Sequence, residues 1–249
     1  MSSRHSLLRA WSARRRFLSS CSCLLAIAAG GAAADPTLDF LSEVALATDY
    51  VDRGISQTSS RPALQAGLTA DTGKGWYGWL WASNIDYSGD ALPDDGTWLE
   101  VDAGVGYVRQ VTKALSVDLA VVRYMMPGTA PGIRYDYTEI CATLGIGEWS
   151  SVTVGYSDDI HNAGAPAWHA FAGTGAALPW DATLDVGAGY FALDEAYGSA
   201  YGWGTVGITR AFGPLVARVG YARTGEAAGT IFGAAAGPRV VATLTAEFD

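Results

Sequence analysis

The residues whose types and spacing most resemble a reaction centre are Ser157, Asp158, Asp159 and His161, followed closely by His169, with Asp94 and Asp95 on a separate acidic stretch. On an extended segment Asp159 and His161 face the same way, and a histidine oriented by a carboxylate is what general acid–base catalysis needs. No Gly-x-Ser-x-Gly elbow accompanies them, and carboxylates beside a histidine are ordinary loop residues. The expectation is a non-catalytic segment, with a hydrolase active at the rim of a membrane barrel as the enzyme alternative. No metal-ligand spacing, phosphate-cradling glycine loop or nucleotide fingerprint is present, so neither a metal nor a cofactor is expected. The glycines of Gly202-Trp203-Gly204 lie in a strand pattern with no helix after them.

A second kind of chemistry lies in carboxylates placed on alternate residues. From Thr97 to Tyr107, Glu100, Asp102, Gly104 and Gly106 fall on one face while Leu99, Val101, Ala103, Val105 and Tyr107 fall on the other. Asp181, Thr183, Asp185, Gly187 and Gly189 likewise oppose Ala182, Leu184, Val186, Ala188 and Tyr190, and the same split recurs at 115–121 and 240–248. A period of two specifies strands, and a helix would mix the sets.

Reading every such run gives about twelve strands, near the 9 to 11 residues with which a tilted strand crosses a bilayer. Their cores are 41–51, 62–71, 75–86, 97–107, 115–124, 135–145, 151–157, 167–174, 181–190, 200–210, 215–222 and 240–248. The links alternate in length. Short turns fall near 72–74, 109–114, 147–150, 175–179 and 211–214, and longer polar or Gly/Pro-rich links at 52–61, 87–96, 125–134, 158–166, 191–199 and 223–239. Short turns at one end and long loops at the other are the habit of outer-membrane barrels, with both termini at the periplasmic end.

At the amino terminus Arg4, Arg9, Arg14, Arg15 and Arg16 precede an apolar run from Phe17 to Ala29 and the small residues Ala32-Ala33-Ala34. This is the layout of a secretory signal peptide. The run is shorter than the roughly 20 residues of a spanning helix, so residues 1–34 are expected to be removed, leaving 35–249 as an outer-membrane β-barrel. The arginines are read as a basic leader region rather than a twin-arginine signal, because a barrel crosses unfolded. Leu18-Ser19-Ser20-Cys21 opens the apolar run instead of following it, which argues against lipidation.

Removal of the leader moves the formal charge from −9 to −14 and leaves Cys141 as the single cysteine. Nucleic acid is thereby an unsuitable partner, and neither an internal disulfide nor a four-thiolate metal site can form. Charged residues make up 16% of the chain and lysine occurs only at 74 and 113. A soluble β-sandwich also alternates, but it usually carries lysine on its exposed faces. With no run of eighteen apolar residues after the leader, the closed barrel is the membrane structure that satisfies its backbone. The expected class is all-β, a transmembrane antiparallel up-and-down barrel. Trp76, Tyr77, Trp79, Trp81, Tyr87, Tyr201 and Trp203 are assigned to its interfacial girdles.

Several blocks carry a family resemblance. Tyr50-Val51-Asp52-Arg53-Gly54-Ile55-Ser56-Gln57, followed by Arg61-Pro62-Ala63-Leu64-Gln65-Ala66-Gly67, resembles the opening block of the TorF-type porins. Gly75-Trp76-Tyr77-Gly78 through Trp81-Ala82-Ser83-Asn84-Ile85-Asp86 is similar to the family's aromatic strand ending in Ser-Asn-hydrophobic-Asp, and Leu99-Glu100-Val101-Asp102, Tyr137-Thr138-Glu139 and Tyr156-Ser157-Asp158-Asp159 follow in order. Tyr50, Arg53, Gly54, Ser56, Gln57, Ser83, Asn84 and Asp86 are the motif residues. The resemblance implies one outer-membrane barrel with a porin's role. Many such barrels end on an aromatic residue, whereas here Phe248 precedes Asp249.

With apolar faces toward lipid, the lumen receives Glu43, Asp49, Asp86, Glu100, Asp102, Asp118, Glu139, Asp181, Asp185 and Glu247, with Arg218 and Arg210 as counter-charges. Gly67, Gly78, Gly104, Gly155, Gly187 and Gly202 are read as small inward residues that leave room. Barrels of about twelve strands fall between the filled small ones and the wide channels. The expectation is a narrow passage for small hydrophilic solutes, cation-leaning because the lumen is acidic. A plugged barrel serving as surface scaffold or receptor is the alternative. Arg53, beside Asp49 and Asp52, either folds the first long loop inward or caps the first strand, with Gly54 supplying the sharp turn. Outer-membrane lipid and lipopolysaccharide, the barrel-assembly machinery and small solutes are the expected partners, in the outer membrane of a Gram-negative bacterium.

Overall fold

The computed structural model of the chain describes residues 38–88 and 95–248. The leader 1–34, Asp94 and Asp249 lie outside the described residues. Twelve strands close into one antiparallel barrel: β1 (Asp39–Ala47), β4 (Ala63–Asp71), β5 (Trp76–Asn84), β6 (Leu99–Thr112), β7 (Leu115–Met125), β8 (Tyr137–Ile146), β9 (Ser150–Ser157), β10 (Ala167–Leu178), β11 (Ala182–Leu193), β12 (Ser199–Phe212), β13 (Leu215–Thr224) and β14 (Arg239–Phe248). Each strand pairs with its sequence neighbours, and β1 closes the ring on β14, with Glu43 opposite Glu247. Two short strands, β2 (Val51–Asp52) and β3 (Ile55–Ser56), form a separate hairpin. Two helices, α1 (Asp194–Tyr197) and α2 (Glu226–Phe232), belong to the last two long links. Every strand expected from periodicity is present. The largest boundary differences are at β6, which runs on to Thr112, at β10, which runs on to Leu178, and at the start, where β1 stops at Ala47 and the chain leaves the wall before Asp49.

Alternation fixes what each face carries. Val44, Leu68, Leu80, Val105, Leu119, Val121, Ile140, Val154, Val186, Ile208 and Val219 are exposed on the outer face, a band suited to hydrocarbon. Outward aromatics rim both ends. Phe40, Trp76, Trp180, Phe212 and Phe248 lie toward the short turns, and Trp98, Tyr156, Trp168 and Tyr190 toward the long loops. This corrects the girdle assignment. Trp76 faces out, but Tyr77, Trp79, Tyr201 and Trp203 are 3–4% exposed and face in, because a strand's pleat sends consecutive residues to opposite sides.

The inward aromatics also correct the reading of the glycines. A Cβ on Gly104 would stand 2.2 Å from the Trp79 ring, one on Gly106 2.4 Å from Tyr77, one on Gly187 2.2 Å from Phe171 and one on Gly189 2.2 Å from Trp203. Each of these four inward glycines is the seat of a large ring from the neighbouring strand, so they fill the interior instead of widening it. Gly78 and Gly202 lie on the outward parity, alternating with buried rings at 77, 79, 201 and 203. Gly104→Ala is expected to cost about 1–3 kcal/mol by overpacking, measured by denaturant unfolding in detergent. Gly204→Ala, where a Cβ meets only the Gly187 carbonyl oxygen at 3.7 Å, is expected to be nearly neutral. Equal effects at the two positions would contradict the packing.

Candidate functional site in the barrel interior

The segment after β1 turns into the lumen. β2 and β3 are joined by Arg53 (φ +46°) and Gly54 (φ +81°), positive values at both central residues that define the tight turn matched to strand twist. Glycine suits this conformation. Arginine there carries strain of order 1 kcal/mol, which the surroundings offset. The Arg53 Nη2 donates to Glu139 Oε2 on β8 at 2.6 Å, with both side chains 2% exposed. Its guanidinium lies 4.6 Å from the centre of the Phe191 ring, and its carbonyl accepts from the Tyr201 hydroxyl at 3.1 Å. Gly54 is pressed against Trp203 and Thr224, where a Cβ would come within 2.9 Å of the Trp203 Cβ. The hairpin thus leaves the β1/β4 wall and reaches β8, β11, β12 and β13 across the lumen.

The base of the hairpin is held by a second network. Asp49 accepts from Ser56 Oγ at 2.6 Å, Thr58 Oγ1 at 2.9 Å and Arg239 Nη1 on β14 at 3.0 Å. Thr58 Oγ1 also accepts from the Tyr50 backbone N–H at 3.1 Å, while the Gln57 N–H donates to the Tyr50 carbonyl at 2.7 Å and the Gln57 side chain to the Ile55 carbonyl at 3.2 Å. The second motif block meets the first here. The Asp86 N–H donates to the Gln57 carbonyl at 2.7 Å, Asp86 pairs with Arg61, and Asn84 accepts from Leu64 N–H at 2.6 Å and donates to the Pro62 carbonyl at 3.2 Å. Ser83, 1% exposed, donates to the Asn84 carbonyl at 2.9 Å. Tyr50, Arg53, Gly54, Ser56 and Gln57 therefore build the inward hairpin and its base, Asp86 meets that base, and Ser83 and Asn84 tie the end of β5 to the start of β4; the hairpin's direction, left open by the sequence, is inward.

Of the expected lumen residues, Glu100, Asp102, Asp118, Glu139 and Asp185 are buried on the inner face. Asp118 accepts both oxygens' bonds from the Tyr77 hydroxyl at 2.8 and 2.9 Å, and Asp185 pairs with Arg218 at 2.7 Å. Three placements differ from expectation. Asp181 sits in the exposed turn between β10 and β11 with φ +56°, off the wall, because the chain reverses before β11 begins at Ala182. Asp86 lies past the end of β5 in a loop, and Arg210 is exposed on the outward parity over Phe212. From the opposite side α2 packs on β12, with Ala228 fully buried and Phe232 5.8 Å from the Tyr201 ring.

The acid–base constellation is not assembled. The Asp159 carboxylate accepts the Gly164 N–H at 2.7 Å, whereas His161 Nδ1 lies 2.9 Å from the Tyr197 hydroxyl and its ring packs edge-on against Tyr137. Burial, then the Arg53 charge, pushes the His161 pKa down to about 3 from 6.5. Because the folded value is the lower one, the unfolded chain binds the extra proton between those values, so this stability is complete above pH 6.5 and lost as pH falls toward 3. His161→Gln is expected to reduce the loss of unfolding free energy between pH 7 and pH 4. An unchanged loss would contradict this assignment.

Sequence reasoning grouped His169 with the 157–161 constellation and passed over its partner on β8, Glu139, whose Oε1 lies 2.6 Å from the Nδ1 of this fully buried histidine on β10. It also passed over Arg239 and Tyr201 as partners of the hairpin. The available signal was strand parity, since Glu139 and Cys141 share a face and Gly155 opposes both Cys141 and His169.

No curated protein sequence matches the chain. Among solved structures it is similar in fold to the KdgM porin, with a TM-score of 0.54 at 8% identity over 84% of this chain and 99% of that one. The KdgM porin in complex with disordered oligogalacturonate aligns at 0.51 and 7% identity, and the NanC porin at 0.49 and 11%, with the same coverage. The model of a bacterial family of unknown function, Gcw_chp, matches residues 31–248, and the chain belongs to that family.

Proposed function

We propose that this protein is an outer-membrane channel of the porin class, of TorF type, for small hydrophilic solutes, closed at rest by its first loop. The observation that carries the reading is what closes the lumen. The crossing element is a loop hairpin whose tip is tied to the far wall by the Arg53–Glu139 ion pair and whose base is tied to β14 by Asp49–Arg239, and it spans a wall in which inward carboxylates outnumber inward arginines. The fold shared with the KdgM porin supports the class; that protein's oligogalacturonate is not carried over, because the acidic interior here disfavours polyanions. The same reading places the chain in the outer membrane after cleavage near Ala34, in contact with lipopolysaccharide and delivered by the barrel-assembly machinery, and gives it no catalytic role.

Reversal potentials across a salt gradient in planar bilayers test the selectivity. Cation preference is expected to weaken as salt rises, since screening shortens the reach of the wall charges. Combining Glu100→Gln, Asp102→Asn and Asp118→Asn is expected to reduce it further while the barrel stays assembled. A preference unchanged by the triple substitution would contradict the role given to these carboxylates. The interior does favour a second reading, a permanently plugged scaffold, at one point: Asp102, Val122 and His169 have no exposed surface. That reading expects no current under any condition.

A further inference from the structure

Glu139, Cys141 and His169 place a carboxylate oxygen, a thiol sulfur and an imidazole nitrogen within 4.8 Å of one another, all buried. They come from β8 and β10, with β9 between them. Gly155 of β9 makes the approach feasible, because a Cβ there would stand 2.2 Å from Glu139 Oε1 and 2.1 Å from His169 Cε1. We propose that this cluster binds one borderline-soft divalent cation of the zinc type. The donor set of one sulfur, one nitrogen and one oxygen is the chemistry such ions select, and three protein ligands leave a fourth position for water or a solute group.

Two features of the cluster suit an ion. Two ligands of one tetrahedral zinc stand about 3.3 Å apart; the Glu139–His169 contact is 2.6 Å, so insertion widens it by less than about 1 Å. The charge also closes. Binding releases the Cys141 proton, and the thiolate and Glu139 then balance the ion. Arg53, on the other Glu139 oxygen, has Asp52 3.8 Å away. The inference does not depend on whether the barrel conducts.

The test uses the untagged mature chain, residues 35–249, folded in detergent, with Co2+ as spectroscopic probe and Zn2+ as competitor. One Co2+ per barrel is expected, with a thiolate-to-cobalt charge-transfer band that Zn2+ removes. Cys141 is the sole cysteine after residue 34, so the wild-type spectrum alone identifies the sulfur ligand even where a variant fails to fold. Cys141→Ser is expected to abolish the band, and His169→Ala to weaken Zn2+ binding by more than about tenfold. His161→Ala, outside the cluster, is expected to retain both. A folded wild-type barrel with no charge-transfer band, or Zn2+ binding unchanged by both Cys141→Ser and His169→Ala, would overturn the proposal.

Discussion

Arg53→Ala is expected to destabilise the folded barrel by about 3–5 kcal/mol, because it leaves Glu139 as a buried charge without its cation. Both side chains are 2% exposed and their contact is 2.6 Å, so solvent cannot substitute for the lost partner. Glu139→Gln keeps an acceptor for the guanidinium and removes the charge, and its effect is expected to be smaller. The double variant should recover part of the loss, since replacing both partners removes the uncompensated charge. Urea unfolding of the four proteins in detergent gives the cycle. Additive single effects would show that the hairpin is not held through this pair.

Leu119→Arg is the second large effect. Leu119 is 55% exposed at the middle of β7, in the outer apolar band that the proposed membrane placement sets in hydrocarbon. An arginine at the midplane of a barrel's lipid face costs about 2–4 kcal/mol, falling toward zero near the interfaces. Folding into bilayers, read by heat-dependent gel mobility and urea titration, is expected to be impaired accordingly. Val111→Arg, at the short-turn end of β6, should be far milder. Equal effects at the two sites would remove the membrane band from the structure.

The strands were legible because period two is a local property: Leu99 through Tyr107 and Ala182 through Tyr190 each declare their two faces without reference to any neighbour. What fills the lumen was not, because it depends on register. Trp79 lies over its partner Gly104, and Phe171 over Gly187, diagonal to its partner Gly189, contacts set by how adjacent strands align. A glycine read alone looks like space, while beside the right strand it is a socket. The hairpin was partly legible. Arg53-Gly54 between Val51-Asp52 and Ile55-Ser56 has the form of a two-residue turn, but the sequence reading runs the first strand to Val51 and leaves 52–61 as a long link. Its inward direction is fixed by partners 86 and 148 residues away, Glu139 and Tyr201, which no local pattern records. In the sequence His169 stands only near the Asp159–His161 pair, yet its partner is Glu139, two strands away around the barrel.

Single-channel recording of the refolded mature chain in planar bilayers bears most directly on the proposed function. Wild-type barrels are expected to give brief, cation-selective openings, and Glu139→Gln, which loosens the hairpin without removing Arg53, is expected to lengthen them. Correctly assembled barrels of both proteins that pass no current at any voltage would contradict a channel closed by its first loop.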